Sequence, residues 1–276
     1  MKTTPIALLS YFVCIFLLIG KSQAGSFFTE FGLSSEYSHY EEQNTQGHRL
    51  NREEGGLNGG SFSFGYRPTL DTELQLSHER VVGEVEYDGF TQSGSNLSTQ
   101  TKEEFNSFSI GFKRNLGDVY GLTGLRWYVS SALNHRVWDR RIQPSSAALG
   151  LNENYSWNEL DLSIWLDYKI SAKGKLSSRI GSVYGFNEKI EVDLTGIDAG
   201  KQSFHFGEVK GRYFNLGYNY SLNAASEVSL LVSYQYWHFD RSGVHTVDIG
   251  PQSINLTEPE SDMHRAGVHV QFRSTF

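Results

Sequence analysis

The sixteen residues SDMHRAGVHVQFRSTF, 261–276, decide how the chain is read. Ala266, Val268, Val270, Phe272, Ser274 and Phe276 share one parity; Arg265, Gly267, His269, Gln271, Arg273 and Thr275 share the other. Successive side chains of a strand point to opposite faces, so this is a ribbon with one apolar side and one polar, cationic side. In a water-soluble sandwich the apolar side would meet a second sheet. In a barrel crossing a membrane it would meet lipid, and the polar side would line the lumen.

At the other end, Lys2 precedes an uncharged run over 3–20 with an apolar core at 6–19. Lys21 and Ser22-Gln23-Ala24 follow. That order reads as a secretory signal peptide, residues 1–24, cleaved after Ala24, with 25–276 as the mature domain. A membrane-anchoring helix needs about 20 apolar residues and would leave the cleavage-like site unexplained. The single cysteine, Cys14, lies in the apolar run, so the mature chain has no thiol for a disulfide, a thiolate metal site or a nucleophile. Removing Lys2 and Lys21 leaves 22 Lys+Arg against 31 Asp+Glu, a net charge of −9, which argues against nucleic-acid binding. No second long apolar run exists, which excludes a helical membrane protein. The 14% aromatic content excludes a disordered one.

Ten segments of alternating polarity follow one another, separated by short and long connections in turn. The first, 27–37, sets Phe31, Leu33 and Tyr37 against Glu30, Ser34 and Glu36. The sixth is the clearest, with Leu160, Leu162, Ile164 and Leu166 opposing Glu159, Asp161, Ser163 and Trp165. In the third, Leu74 and Leu76 lie on one parity but Val85 and Tyr87 on the other. A bulge at Gly83 is the expected cause, placing Glu84, Glu86 and Asp88 inside. Short turns fall at 67–71, 115–121, 171–175 and 223–227, and long polar connections at 39–58, 89–104, 144–154, 193–208 and before 262. Both ends of the chain are then on the short-turn side. The pattern predicts an all-β fold: a closed, antiparallel, up-and-down transmembrane β-barrel of about 10 strands, or 12 if segments three or nine divide.

The last strand resembles the closing strand of bacterial outer-membrane barrels, through Phe276 as final residue and Phe272, Val270 and Val268 in step before it. The resemblance implies residence in a Gram-negative outer membrane, in contact with its lipid and lipopolysaccharide. It also implies recognition by the barrel-assembly machinery, with Phe272 and Phe276 as the signal.

The inward parity carries Glu159, Asp161 and Asp167 together with Lys169, Arg179, Arg126, Arg265 and Arg273. A small barrel is just wide enough for side chains to fill, so mixed charges should pair and block it. A lumenal substrate path is the alternative. Glu84, Glu86 and Asp88 are candidate catalytic carboxylates, because closely spaced acids raise one another's pKa and can divide acid and base roles. An acidic, wet strand end is the simpler reading. His238, Asp240, His245 and Asp248 match no ligand spacing, and no phosphate loop, Gly-x-Ser-x-Gly or His-Glu-x-x-His occurs. No cofactor and no metal are expected.

With ten strands, and with Asp198-Ala199-Gly200-Lys201 leading into the eighth, the chain resembles the omptin family of outer-membrane endopeptidases. The resemblance implies a loop-side groove with two acids near the end of strand three, where Glu84 and Glu86 stand. It also implies an Asp-x-His pair on the loop after strand seven. That loop has Asp193, Asp198 and His205 but no such pair, so His205 is a candidate catalytic histidine that lacks its aspartate. The chain's Asp-x-His is Asp262-Met263-His264, whose parity points away from the lumen. The first expectation is therefore a non-enzymatic outer-membrane barrel with a side-chain-filled lumen and long extracellular loops of unidentified ligand. An omptin-like endopeptidase and a narrow channel are the alternatives.

Overall fold

A computed structural model describes residues 25–90, 94–119, 122–146, 148–249 and 252–276; the signal peptide expected at 1–24 lies outside the described residues. The strands are β1 (Ser26–Gln43), β2 (Arg49–Thr69), β3 (Thr72–Phe90), β4 (Asn96–Asp118), β5 (Leu125–Ile142), β6 (Leu151–Lys169), β7 (Gly174–Leu194), β8 (Gly200–Phe204), β9 (Val209–Ser221), β10 (Ser226–Phe239), β11 (His245–Ile249), β12 (Gln252–Leu256) and β13 (Glu260–Thr275). Ten form the wall, each antiparallel to its neighbours. β6 pairs with β7, and β1 with β13, so the sheet closes. Closure leaves no wall edge unpaired, which a sheet in lipid requires. The backbone pairs Phe27 N–H with Phe276 O and Phe276 N–H with Phe27 O, both at 2.9 Å, sealing the seam at the turn end. β8 extends β7 as a hairpin, and β11 pairs with β12 in a separate hairpin.

A bilayer is crossed by about 9–11 tilted residues, yet β6 has 19 and β4 has 23. The surplus comes from segments expected to be loops. Of the connection placed at 39–58, β1 and β2 pair as far as Gln43 and Arg49. Of that at 89–104, β3 and β4 pair as far as Phe90 and Asn96. The wall therefore rises well above the membrane.

Within the membrane belt the exterior is apolar: Phe31, Leu33, Phe62, Phe108, Ile110, Leu162, Ile164, Ile180, Leu230, Val232, Val268 and Val270 are exposed. Above it the pattern reverses. Tyr40, Leu57, Val81, Val85, Phe105, Trp138, Tyr155, Trp157, Trp237, Phe239 and Met263 are buried inside, while Glu84, Glu86 and Asp88 are exposed outside. The apolar parity thus swaps on β1 to β6, β10 and β13 at one height. In the belt lipid is outside and polar groups fill the interior; above it water is outside and the interior is dry.

This inversion corrects the bulge expected at Gly83. The pairing of β3 with β4 runs without a register shift from Thr72↔Arg114 through Gly83↔Glu103 to Phe90↔Asn96. The pairs of β3 with β2 keep one register from Arg52↔Asp88 to Tyr66↔Leu74. Val85 and Tyr87 hence face inward, and Glu84, Glu86 and Asp88 outward. A bulge does occur in β7, where Asn158 pairs with Phe186 but Ser156 with Lys189. Asn187 there adopts φ +57°, the left-handed conformation a short amide side chain tolerates. The extra residue turns Ile190, Val192 and Leu194 inward, so on β7 the apolar residues keep one parity across the boundary.

Candidate functional site: a dry mouth above a polar lumen

The lower interior is a lattice of charge-assisted hydrogen bonds. Glu159 is fully buried and accepts from Arg136 Nε at 2.7 Å, Asn134 Nδ2 at 3.2 Å, Trp157 Nε1 at 2.9 Å and Trp237 Nε1 at 3.1 Å. Asp161 accepts from Arg179 Nη2 at 3.1 Å and from the Tyr213 hydroxyl at 2.8 and 2.9 Å. Arg265 donates through Nε at 2.8 Å and Nη2 at 2.5 Å to one oxygen of Glu36. Nearer the turns, Arg273 and Arg67 meet Glu73 at 2.7 and 3.0 Å, and Lys175 lies 3.6 Å from Asp167. Lys113 sits over the Trp165 ring at 3.9 Å. Four donors on one carboxylate, or a guanidinium on each, is what a buried charge requires.

Two residues assigned to this lattice fall outside it. Arg126 pairs with Asp118 at 3.2 Å where both are largely exposed. Lys169, on the last turn-side residue of β6, is exposed. Both have the inward parity, but the strand ends there and the side chains reach water at the rim. Among the ion pairs, beneath the apolar residues above, lies a cavity of about 340 Å³; serines such as Ser63, Ser77, Ser109, Ser130 and Ser177 line it together with Glu73, Lys113, Asp161, Arg179 and Arg273, and Glu79 borders it.

The upper interior closes that cavity. Trp138 stacks with Phe105 (5.3 Å) and Tyr155 (4.8 Å), and Trp157 meets Phe206 and Phe239 edge-on at 6.3 and 5.7 Å. Ile254 and Leu256 of the β11–β12 hairpin and Phe204 of β8 pack against the same cluster, so two arms at the long-loop end cap the plug. Rings of this size, held at centroid spacings of 4.5–7 Å, dominate the packing energy wherever they are buried.

Arg140 is set into the plug with 1% exposure. Nε reaches Glu53 at 3.0 and 3.1 Å, Nη2 reaches Glu53 at 2.9 Å, and Nη1 reaches Glu42 at 2.9 Å and Glu153 at 2.7 Å. Thr101 Oγ1 donates to Glu53 and Tyr40 Oη to Glu42, while Tyr155 Oη donates to Glu258 at 2.6 Å. Glu103, also buried, has no hydrogen-bond partner on either oxygen. Burial pushes its pKa up to about 8, and the neighbouring Glu53 charge adds to that, against the pull of Arg140 and Arg265. Burial likewise raises Glu258 well above the usual carboxylate range. By alternation alone Glu42, Glu53, Glu103 and Glu153 fall in polar connections, and Arg140 lies beyond the fifth segment. The signal that would have found them is the simultaneous parity swap on adjacent strands.

No catalytic constellation forms from the candidates. Glu84, Glu86 and Asp88 sit on the outer wall, Asp88 with Arg49 at 3.0 Å. His205 is exposed, with Nδ1 2.5 Å from the Glu188 carbonyl oxygen. Asp262 and His264 also face out: Asp262 accepts from Tyr236 at 2.6 Å and faces His238 Nδ1 at 2.9 Å, and His264 meets Tyr234 at 2.7 Å. Phe272 is on the lipid face, and Phe276 lies 6.5 Å from Phe27. The inward positions at the level of the carboxylates belong to Val81, Val85 and Tyr87.

No protein-family model and no curated protein matches the sequence. Among solved structures, the chain is similar to the outer membrane protease OmpT from Escherichia coli, at 8% identity and TM-score 0.58, over 93% of this chain and 99% of that one. It is more loosely similar to the translocator domain of the autotransporter NalP from Neisseria meningitidis (10% identity, TM-score 0.42, 96% and 94% covered). It also aligns with the outer membrane protein OprG from Pseudomonas aeruginosa (11% identity, TM-score 0.40, 94% and 98% covered). The chain has the closed ten-stranded fold of outer-membrane barrels, and identities this low carry the fold alone.

Proposed function

We propose that the protein resides in the outer membrane as a barrel closed at its extracellular end. It works through the outside of its raised rim, as a surface-interaction or structural protein. The observation that carries this reading is the plug: where a hydrolase groove or an open pore would need a wet, converging set of side chains, Trp138, Trp157, Phe105, Phe206 and Phe239 are packed together. The acids that a protease would need inside are outside, on a face that meets water and any extracellular partner. A pore would need the plug to leave.

Purified protein in a planar bilayer should therefore show little steady conductance. In lipopolysaccharide-containing micelles it should leave peptides with paired basic residues intact, and Glu86→Gln should change nothing. A large, long-lived open state would make the channel reading correct. Cleavage that disappears in Glu86→Gln or His205→Ala would make it a hydrolase.

A further inference from the structure

The lumen holds a donor set that the charge lattice uses only in part. Glu36 of β1, Glu79 of β3 and His269 of β13 place one ligand atom each within 4.8 Å of one another, the one such group of three among the described residues. The Glu36 side chain is 1% exposed and both Arg265 contacts go to its Oε2. Its Oε1 is buried without a hydrogen-bond partner and lies 3.9 Å from His269 Nε2. A buried carboxylate oxygen left bare is costly; in this lower lattice Asp167 Oδ1 is bare as well, but among the described residues only Glu36 Oε1 lies beside two further metal-ligating side chains. Glu79 borders the polar cavity and makes no hydrogen bond with another described residue. His269 Nε2 contacts Ser233 Oγ at 2.7 Å.

The wall is shaped so that these side chains meet. Along the pairing, Glu79 faces Ser61, Ser61 faces Gly32, and His269 faces Ser34, so the strands between the donors carry small inward residues. A Cβ on Gly267 would fall 2.5 Å from Glu36 Cγ, so the glycine lets Glu36 lie against the wall. We propose that Glu36, Glu79 and His269 bind a divalent transition-metal cation, with Zn²⁺ as the fitting case. One imidazole and two carboxylates are a borderline-soft donor set of three, leaving room for water or Ser233 as a fourth ligand. Mg²⁺ and Ca²⁺, which take six or more oxygens, fit it poorly. The cation reaches the site from the polar cavity beneath the plug, and its charge would tie β1, β3 and β13 together. Sequence spacing could not reveal the site, since its donors come from strands 43 and 190 positions apart, from Glu36 to Glu79 and from Glu79 to His269.

The test is calorimetric titration of chelator-stripped, folded full-length protein in detergent micelles with Zn²⁺, repeated with Mg²⁺. Gel mobility before and after heating reports the folded barrel. Glu79→Gln breaks no ion pair and His269→Gln keeps a polar side chain beside Ser233, so both should remain folded. His238→Ala removes the outer-wall histidine beside Asp262 and Asp240, the competing cluster. The expected result is one Zn²⁺ per chain, no comparable Mg²⁺ binding, and affinity weakened about tenfold or more in Glu79→Gln and His269→Gln, since even outer-shell partners are worth about 10–100-fold. His238→Ala should bind as the parent does. No saturable Zn²⁺ binding by the parent would overturn the proposal, as would binding lost in His238→Ala and kept in the two lumen variants.

Discussion

Two halves of the same wall solve opposite problems. In the membrane belt Leu162 and Ile164 face lipid while Asp161 and Ser163 face the lumen; above it, Val85 and Tyr87 face the interior while Glu84 and Glu86 face water. The backbone is continuous through the change on β3, so what inverts is the solvent. Lipid outside requires an apolar exterior, and a narrow interior then accepts polar side chains only if they satisfy one another. Water outside removes that requirement, and the interior becomes a core of packed rings around the buried Arg140 cluster. The lower half holds ion pairs around a polar cavity, and the upper half is closed by rings packed about Arg140.

The largest effect that would separate the halves comes from Arg140. Arg140→Met removes the one cation that meets Glu42, Glu53 and Glu153. Breaking a buried pair on one side costs about 3–5 kcal/mol. Hydrogen exchange should rise in the upper turns of β1 to β6, while the membrane belt stays protected and the barrel remains heat-modifiable. Equal loosening of both halves would show that they are not separate units.

The next effect lies in the belt. Ile164→Arg puts a charge into lipid at a cost of about 2–4 kcal/mol. Ser163→Arg points into the lumen near Asp161 and should cost less in urea titration of the folded barrel. Equal costs would mean the belt parity is wrong.

A smaller effect follows from Glu103. Its folded pKa is raised to about 8, so between the ordinary carboxylate value and that point the folded state holds a proton the unfolded state has released. Stability of the upper section should fall as pH rises through that window, by about 1.4 kcal/mol per unit at most, and level off above it. Trp138 fluorescence against urea at pH 5 and pH 8 would show the drop, and Glu103→Gln should flatten it. A rise in stability with pH would contradict the assignment.

The sequence revealed the belt because alternation there means what it does in any lipid-facing barrel. Phe31 against Glu30 and Ile164 against Ser163 leave no second reading. Above the belt the same alternation carries the opposite meaning, and a swap of the apolar parity can be written either as a bulge or as a change of solvent. On β3 alone the two are indistinguishable. Across strands they are not: Phe108 gives way to Phe105 on β4, Leu133 to Trp138 on β5 and Leu160 to Trp157 on β6, all at one height. Separate bulges would not align that way. The β7 bulge is hidden for the converse reason, since there the insertion and the inversion cancel. Arg140 and its glutamates were illegible because charged residues in polar surroundings look like loop, and their convergence depends on strands far apart in sequence.

The inversion is tested most directly by labelling on intact cells. Residues 25–276 contain no cysteine, so Val85→Cys and Glu86→Cys each introduce a single thiol there at adjacent positions. A membrane-impermeant maleimide should label the thiol of Glu86→Cys and leave that of Val85→Cys unmodified until the protein is denatured. Rapid labelling at 85 with protection at 86 would restore the bulge at Gly83, return the carboxylates to the lumen and contradict the account.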